Sequence, residues 1–284
     1  MSPIEATEKF GPSFHRTFAF NRSAISTLLA LAARYDRNSS VRITKDLIKK
    51  ETSLGVQYID AMPRYARAAG LLNSTNRLTF LGRQVTMHDA LLERLETLWI
   101  VHYELSKPDG LAPRFWSYLV ERLFRTGDRL ERSKVSSLIQ EVSGNQQSID
   151  VNENTAADAS TIFLKTYVSD ECLGKLSLLH DEGGGRYFVS DPPPPTPIVF
   201  ALAIADFWTK NLSNTNSVWI DAFSQPNGPA QLLFMGKGNV NRAMRELMRM
   251  GLATVNLITP PFQFAPSWKN REEILERLYT TEKE

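Results

Sequence analysis

A single cysteine, Cys172, stands among 284 residues. One thiol closes no internal disulfide, and a cysteine-based zinc site takes several, so a disulfide framework and a zinc finger are both excluded. Histidine is scarce as well. His15, His88, His102 and His180 are scattered, with no two at metal-ligand spacing. No apolar run approaches the roughly 20 residues that span a bilayer. The first thirteen residues are polar, contain Glu5, Glu8 and Pro12, and have no apolar stretch behind them, so no secretory signal is expected. A cytoplasmic protein without a membrane contact is the expectation. Hydrophobic residues at 42% and charged residues at 23% also leave no room for a wholly disordered or fibrous chain.

The net charge of +2 conceals an asymmetry. Residues 1–87 hold thirteen Lys/Arg against six Asp/Glu, and the remainder holds 20 against 25. A basic first third on an acidic body suggests one polyanion-binding module carried by an interaction scaffold.

The local patterns give that module a shape. Ser23 can cap a helix running to Tyr35, with Ile25, Leu28, Leu29 and Ala32 at helical spacing. A polar loop, Asp36–Ser40, follows. Thr44 is a plausible N-cap for Lys45–Thr52, with Leu47 and Ile48 inward. A third helix starts at Val56 and is expected to bury Val56, Ile59, Met62, Ala66 and Ala69. Pro63 predicts a kink or split there. Gly70 suits a left-handed C-cap. Leu71–Asn73 and Arg77–Thr79 then read as a short hairpin, and Thr79 caps the next helix. Helix, helix, turn, helix and hairpin in that order is a winged helix-turn-helix.

The middle third reads as helical. Ala90–Leu105 has a broad apolar face, Pro113 opens another helix, and Arg125–Asn154 reads as a surface loop around Val135–Val142, with a very polar run over Ser143–Ser148. A helix over Ala156–Tyr167 precedes a hairpin at Gly183–Gly185. After the stiff run Pro192–Pro195, Ile198–Trp208 is a strongly apolar helix. A basic amphipathic helix, Asn239–Met250, ends at Gly251 before an extended stretch, which echoes the first module. The expected organisation is therefore mainly α. A winged helix-turn-helix over 1–88 is followed by a helical region over 89–191 and a winged-helix-like unit over 192–284.

Signals for catalysis are weak. Gly236-Lys237-Gly238 lacks the upstream glycine and following Ser/Thr of a phosphate loop. No acid cluster sits beside a lysine on a strand. No enzyme activity, cofactor or metal is expected. His102, on an apolar face, reads as a hydrogen-bonded core histidine, and Trp99, Trp116, Trp208, Trp219 and Trp268 read as core.

The residue types suited to duplex DNA are found on the first module. Gln57, Arg64 and Arg67, with Tyr58 alongside, lie opposite the third helix's buried stripe, where Gln and Arg reach base edges or phosphates. Lys45, Lys49 and Lys50 are placed for the backbone, and Asn76 and Arg77 for the wing. Asp60 on the same face opposes phosphate. Arg242 and Arg245 form a helical ridge with Arg249 that offers either a second DNA contact or a solvated face. Double-stranded DNA is the expected partner. A protein-docking adaptor and a dimeric transcriptional regulator are the competing readings.

Five segments in order resemble one known family. They are Phe14–Phe18, the Gly70–Arg83 wing, Glu96–His102, Phe163–Val168 and Phe200–Trp208. Together they are similar to the prokaryotic domain of unknown function numbered 4007, across Phe10–Tyr279. The resemblance implies a companion of phosphoadenosine phosphosulfate reductase-like genes in DNA-phosphorothioation and phage-defence neighbourhoods, and other subunits of such a complex as partners. It carries over no catalytic residue. The chain departs from the family at Arg16, where the family usually has Glu, and at Pro63.

Overall fold

The computed structural model describes residues 9–36, 41–144 and 151–280. It is predominantly helical with two small antiparallel sheets. The first block has three helices, α1 (Arg22–Arg34), α2 (Lys45–Glu51) and α3 (Val56–Ala68), then α4 (Phe80–His88). Asn21, not Ser23, caps α1, because its side chain accepts from the Ala24 N–H at 2.9 Å. Thr44 and Thr79 cap α2 and α4 as their positions suggest. α3 runs unsplit through Pro63. Burial of Ile59, Met62 and Ala66 outweighs one missing backbone hydrogen bond. Val56 is 69% exposed rather than core, because it opens the helix on its outer side.

α3 ends in a Schellman turn at Gly70, with the Leu71 N–H on the Ala66 carbonyl and the Gly70 N–H on that of Arg67. The hairpin behind it shrinks to one bridge, Leu72 to Leu78. Gly82 is required there, since a Cβ on it would lie 2.0 Å from the Leu71 carbonyl oxygen.

The middle region is not purely helical. α5 (Leu95–Ser106) starts five residues later than its apolar pattern suggests. Leu92 adopts a left-handed backbone, and the Asp89 carboxylate accepts the Glu93 and Arg94 N–H groups. Then come α6 (Arg114–Leu123), β1 (Arg129–Glu131), α7 (Arg132–Gly144), α8 (Glu153–Val168), β2 (Leu179–Gly183) and β3 (Arg186–Val189). β1 replaces part of the expected loop, and its three residues are too few to show a period. From residue 145 the polar run ending at Ser148 lies outside the described residues.

The last third holds α9 (Pro197–Asn211), β4 (Val218–Trp219), α10 (Pro229–Leu232), α11 (Lys237–Arg249), β5 (Ala253–Asn256), β6 (Gln263–Pro266) and α12 (Arg271–Thr280). The two sheets share one order, β1-β3-β2 and β4-β6-β5. The sequence helix–strand–helix–helix–hairpin thus occurs over α6–β3 and again over α9–β6. In the first block the same order stands with the side chains of Asn76 and Arg77 on the carbonyls of Ile43 and Val41 in place of the first strand.

One apolar core runs through all three blocks. Trp116, Tyr167 and His102 link α6, α8, α5 and α10. The Trp116 indole and His102 Nδ1 both lie 3.0 Å from the Tyr167 hydroxyl, and His102 Nε2 is 2.9 Å from the Leu232 carbonyl. The carbonyl can only accept, so Nε2 carries the proton and Nδ1 accepts from Tyr167. α12 returns to the first block, with Tyr279 stacked on His88 and hydrogen-bonded to Thr97 at 2.9 Å.

Candidate nucleic-acid interface

The sequence-derived site residues fall into four groups. Lys49 and Lys50 are exposed at the end of α2, and Gln57 is exposed at the start of α3. Lys45 reaches across from α2 to pair with Asp60. That hydrogen bond, with the charges of Lys45, Arg16 and Arg64, holds the Asp60 carboxyl below its ordinary range against partial burial. The acid that opposed phosphate on this face is therefore neutralised from α2.

The second group lies under the arm 9–20, which crosses the far half of the same α3 face. Phe18 packs on Tyr58 with ring centroids 4.5 Å apart. The Phe14 carbonyl accepts from Arg64 at 3.4 Å, and the Arg67 guanidinium sits 5.1 Å from the Phe10 ring centre. Burial, then neighbouring Arg16, lowers the Arg64 pKa. Burial, then Arg64, does the same to Arg67. Three cationic groups follow one another along this face, and Asp60 faces two of them, Arg16 and Arg64.

The arm turns through an unusual backbone. Arg16 and Thr17 both have left-handed φ values, 48° and 70°, a costly conformation for a β-branched residue such as Thr17. The Thr17 N–H donates to His15 Nδ1 at 3.0 Å, so His15 is neutral with its proton on Nε2. Burial pushes its pKa down to about 4, although Asp158 pulls upward.

Asn76 and Arg77 face inward. Asn76 donates to the Ile43 carbonyl at 3.0 Å, and Arg77 donates to those of Tyr35 and Val41 at 3.0 and 2.5 Å. They tie a loop to the hairpin.

Arg242 and Arg245 stand apart from all of these. α11 shows Lys237, Arg242, Arg245 and Arg249 to solvent and buries Val240, Ala243, Met244 and Leu247. Its acid, Glu246, pairs with Arg249 at 2.9 Å. No side chain caps its first turn. It ends in the same Schellman turn as α3, with the Gly251 and Leu252 N–H groups on the carbonyls of Met248 and Leu247. It then enters the hairpin β5–β6.

Sequence reasoning missed a buried charge network behind this unit. Glu104 on α5 lies 2.8 Å from Lys107 and 2.5 Å from Arg271, and Asp206 on α9 lies 3.3 and 3.1 Å from the same two cations. Burial favours the protonated Glu104, but Lys107 and Arg271 outweigh it and lower its pKa. The signals available were Glu104 amid the apolar residues of α5 and Asp206, the single acid of the apolar α9. Of the tryptophans, Trp99 and Trp116 are core as expected, whereas Trp219 is 61% exposed on β4. Among the described residues no group of three or more His, Cys, Asp or Glu is placed to hold a metal ion. No helix there is long and apolar enough to cross a membrane.

The fold and this surface define a mainly helical protein of repeated helix–hairpin blocks with exposed basic helix faces. A family model described as "Protein of unknown function (DUF4007)" matches residues 38–259, and the chain belongs to that family. Two solved structures are similar in fold, an SspB crystal structure and a magnesium ion-bound SspB crystal structure. Each gives a TM-score of 0.75 and covers 96% of this chain and 89% of the other, at 17% and 16% identity. No protein of curated function matches by sequence.

Proposed function

We propose that this protein is a non-enzymatic, double-stranded-DNA-binding subunit of a prokaryotic DNA-modification or phage-defence system, built of winged-helix modules. The open ridge of Arg242, Arg245 and Arg249 on α11, beside the β5–β6 hairpin, carries this reading. A helix that shows several arginines to solvent and leads into a hairpin fits a major groove, with the hairpin over the adjoining backbone. The uncapped first turn next to Lys237 suits a phosphate as well. Lys45, Lys49, Lys50 and Gln57 on the first module then serve as a second, backbone-facing contact.

Fluorescence anisotropy of a labelled duplex at about 50 and 200 mM salt tests this. Wild type binds with a steep salt dependence, and Arg242→Ala/Arg245→Ala flattens the slope by about two, close to one per lost phosphate contact. An unchanged slope removes α11 from the interface. One of the fold neighbours is a magnesium-bound structure, so the non-enzymatic part has its own test. Supercoiled plasmid incubated with protein and magnesium stays supercoiled, and nicked or linear DNA would overturn that part.

The docking-adaptor reading rests on Met87, Leu91 and Leu95, which are 72%, 65% and 46% exposed around the α4–α5 connection. It predicts a partner complex that survives high salt and nuclease, with no duplex binding.

A further inference from the structure

A cleft of about 310 Å³ opens where the arm crosses α3, lined by Phe10–Phe14, Arg16 and Arg64. Arg64 has one long hydrogen bond, to the Phe14 carbonyl at 3.4 Å. Arg16 is exposed; its backbone N–H donates to the Ser13 carbonyl at 3.2 Å, while its guanidinium has no hydrogen-bond or ion-pair partner among the described residues. Two like charges share a cleft whose neighbouring acid, Asp60, is already engaged by Lys45. Arg67 adds a third cation behind the Phe10 ring.

Holding guanidinium groups together beside a single acid that is already paired with Lys45 costs free energy, and so does the left-handed backbone at Arg16 and Thr17 that sets this turn. Such an arrangement fits a ligand that brings the missing negative charge and accepts several N–H bonds. The guanidinium fork matches phosphate oxygens two at a time. We propose that the cleft binds a phosphate group, gripped by Arg16 and Arg64. The group is either a backbone phosphodiester of nucleic acid or a free phosphate. The site is separate from the α11 ridge and does not depend on it.

Arg16→Gly is the informative variant. It removes the guanidinium and relaxes the left-handed position, so the fold is retained. Arg242→Ala/Arg245→Ala leaves the cleft intact and serves as the control. Thermal melting is followed with inorganic phosphate, and with chloride at equal ionic strength. Labelled-duplex affinity is measured on the same samples.

Phosphate is expected to raise the melting temperature of wild type and of the α11 variant, but not of Arg16→Gly. If the natural source is nucleic acid, Arg16→Gly also binds duplex about tenfold more weakly, as for loss of one charged hydrogen bond. If it is a free phosphate, duplex affinity is unchanged while the phosphate response is lost. A phosphate response with no duplex binding by any form keeps the cleft and rejects the DNA-binding function. Equal phosphate responses in wild type and Arg16→Gly, or none in wild type, overturn the site.

Discussion

α3 and α11 hold the same place in their blocks. Each is a 13-residue helix that ends in a glycine Schellman turn and leads into a hairpin. Their outer faces have opposite fates. On α3 the acid is neutralised by Lys45, and the half with Arg64 and Arg67 is covered by Phe10, Phe14 and Phe18. On α11 the ridge is open and its arginines outnumber one paired glutamate. The difference teaches that a basic amphipathic helix after a tight turn does not identify the reading helix. What lies across its polar face decides whether it can enter a groove. α8, third in the set, exposes Glu153 and Asp158 against Lys165, so its face is net acidic.

The largest way to break the comparison is acid. The cover on α3 is anchored by neutral His15, and α11 has no such group. His15 and His102 both have folded pKa values of about 4 against an ordinary 6.5, each because burial disfavours the charged ring. The unfolded chain therefore binds more protons between these values, and stability falls as pH drops from 6.5 to 4. Each histidine costs about 3 kcal/mol by the lower limit. Urea unfolding at several pH values between these limits should show this loss, and a flat profile would mean the rings are not neutral in the fold. Proteolysis of the arm should accelerate over the same window, ahead of cleavage in α11.

A smaller effect sharpens the contrast at the two helix ends. Gly70 and Gly251 share a left-handed φ, 70° and 69°. An added Cβ at Gly70 would lie 3.1 Å from Glu104 Oε2, and at Gly251 it would meet nothing. Gly251→Ala should cost about 1 kcal/mol, from backbone strain alone. Gly70→Ala should cost more, since it also crowds a carboxylate fixed by Lys107 and Arg271. Chemical denaturation measures both, and equal costs would show that the first block is no more tightly tied to the body than the last.

Much of this was legible in the sequence, and the reason is local. Gly70-Leu71 and Gly251-Leu252 announce their turns because only a left-handed residue ends a helix that way. Thr44 and Thr79 announce their caps. His102 reads as core because its neighbours recur at helical spacing. The short strands β1, β4 and β6 are hidden, since two to four residues show no alternation. The arm over α3 is hidden for another reason. Its contacts join Phe10 to Arg67 and Phe14 to Arg64, some fifty residues apart, and no local pattern encodes them. Asn76 and Arg77 looked like wing contacts for the same reason, because their partners Val41 and Ile43 lie far upstream.

The smallest effect is the most direct test of which helix would touch DNA under the proposed function. Asp60→Asn removes the acid from the α3 face while keeping its shape. Lys45 and Asp60 are both partly solvated, so the pair contributes little, and stability should change by about 0.5 kcal/mol or less. The freed Lys45 adds one positive charge near the cleft. If α11 is the reading helix, that charge acts at a distance through screening solvent, and duplex affinity should rise by less than about threefold at physiological salt. If α3 itself lies in the groove, removing a carboxylate from direct phosphate contact should tighten binding by tenfold or more. Anisotropy titrations of Asp60→Asn beside Arg242→Ala/Arg245→Ala separate the two. A large gain in the first with no loss in the second would exchange the roles assigned here to α3 and α11.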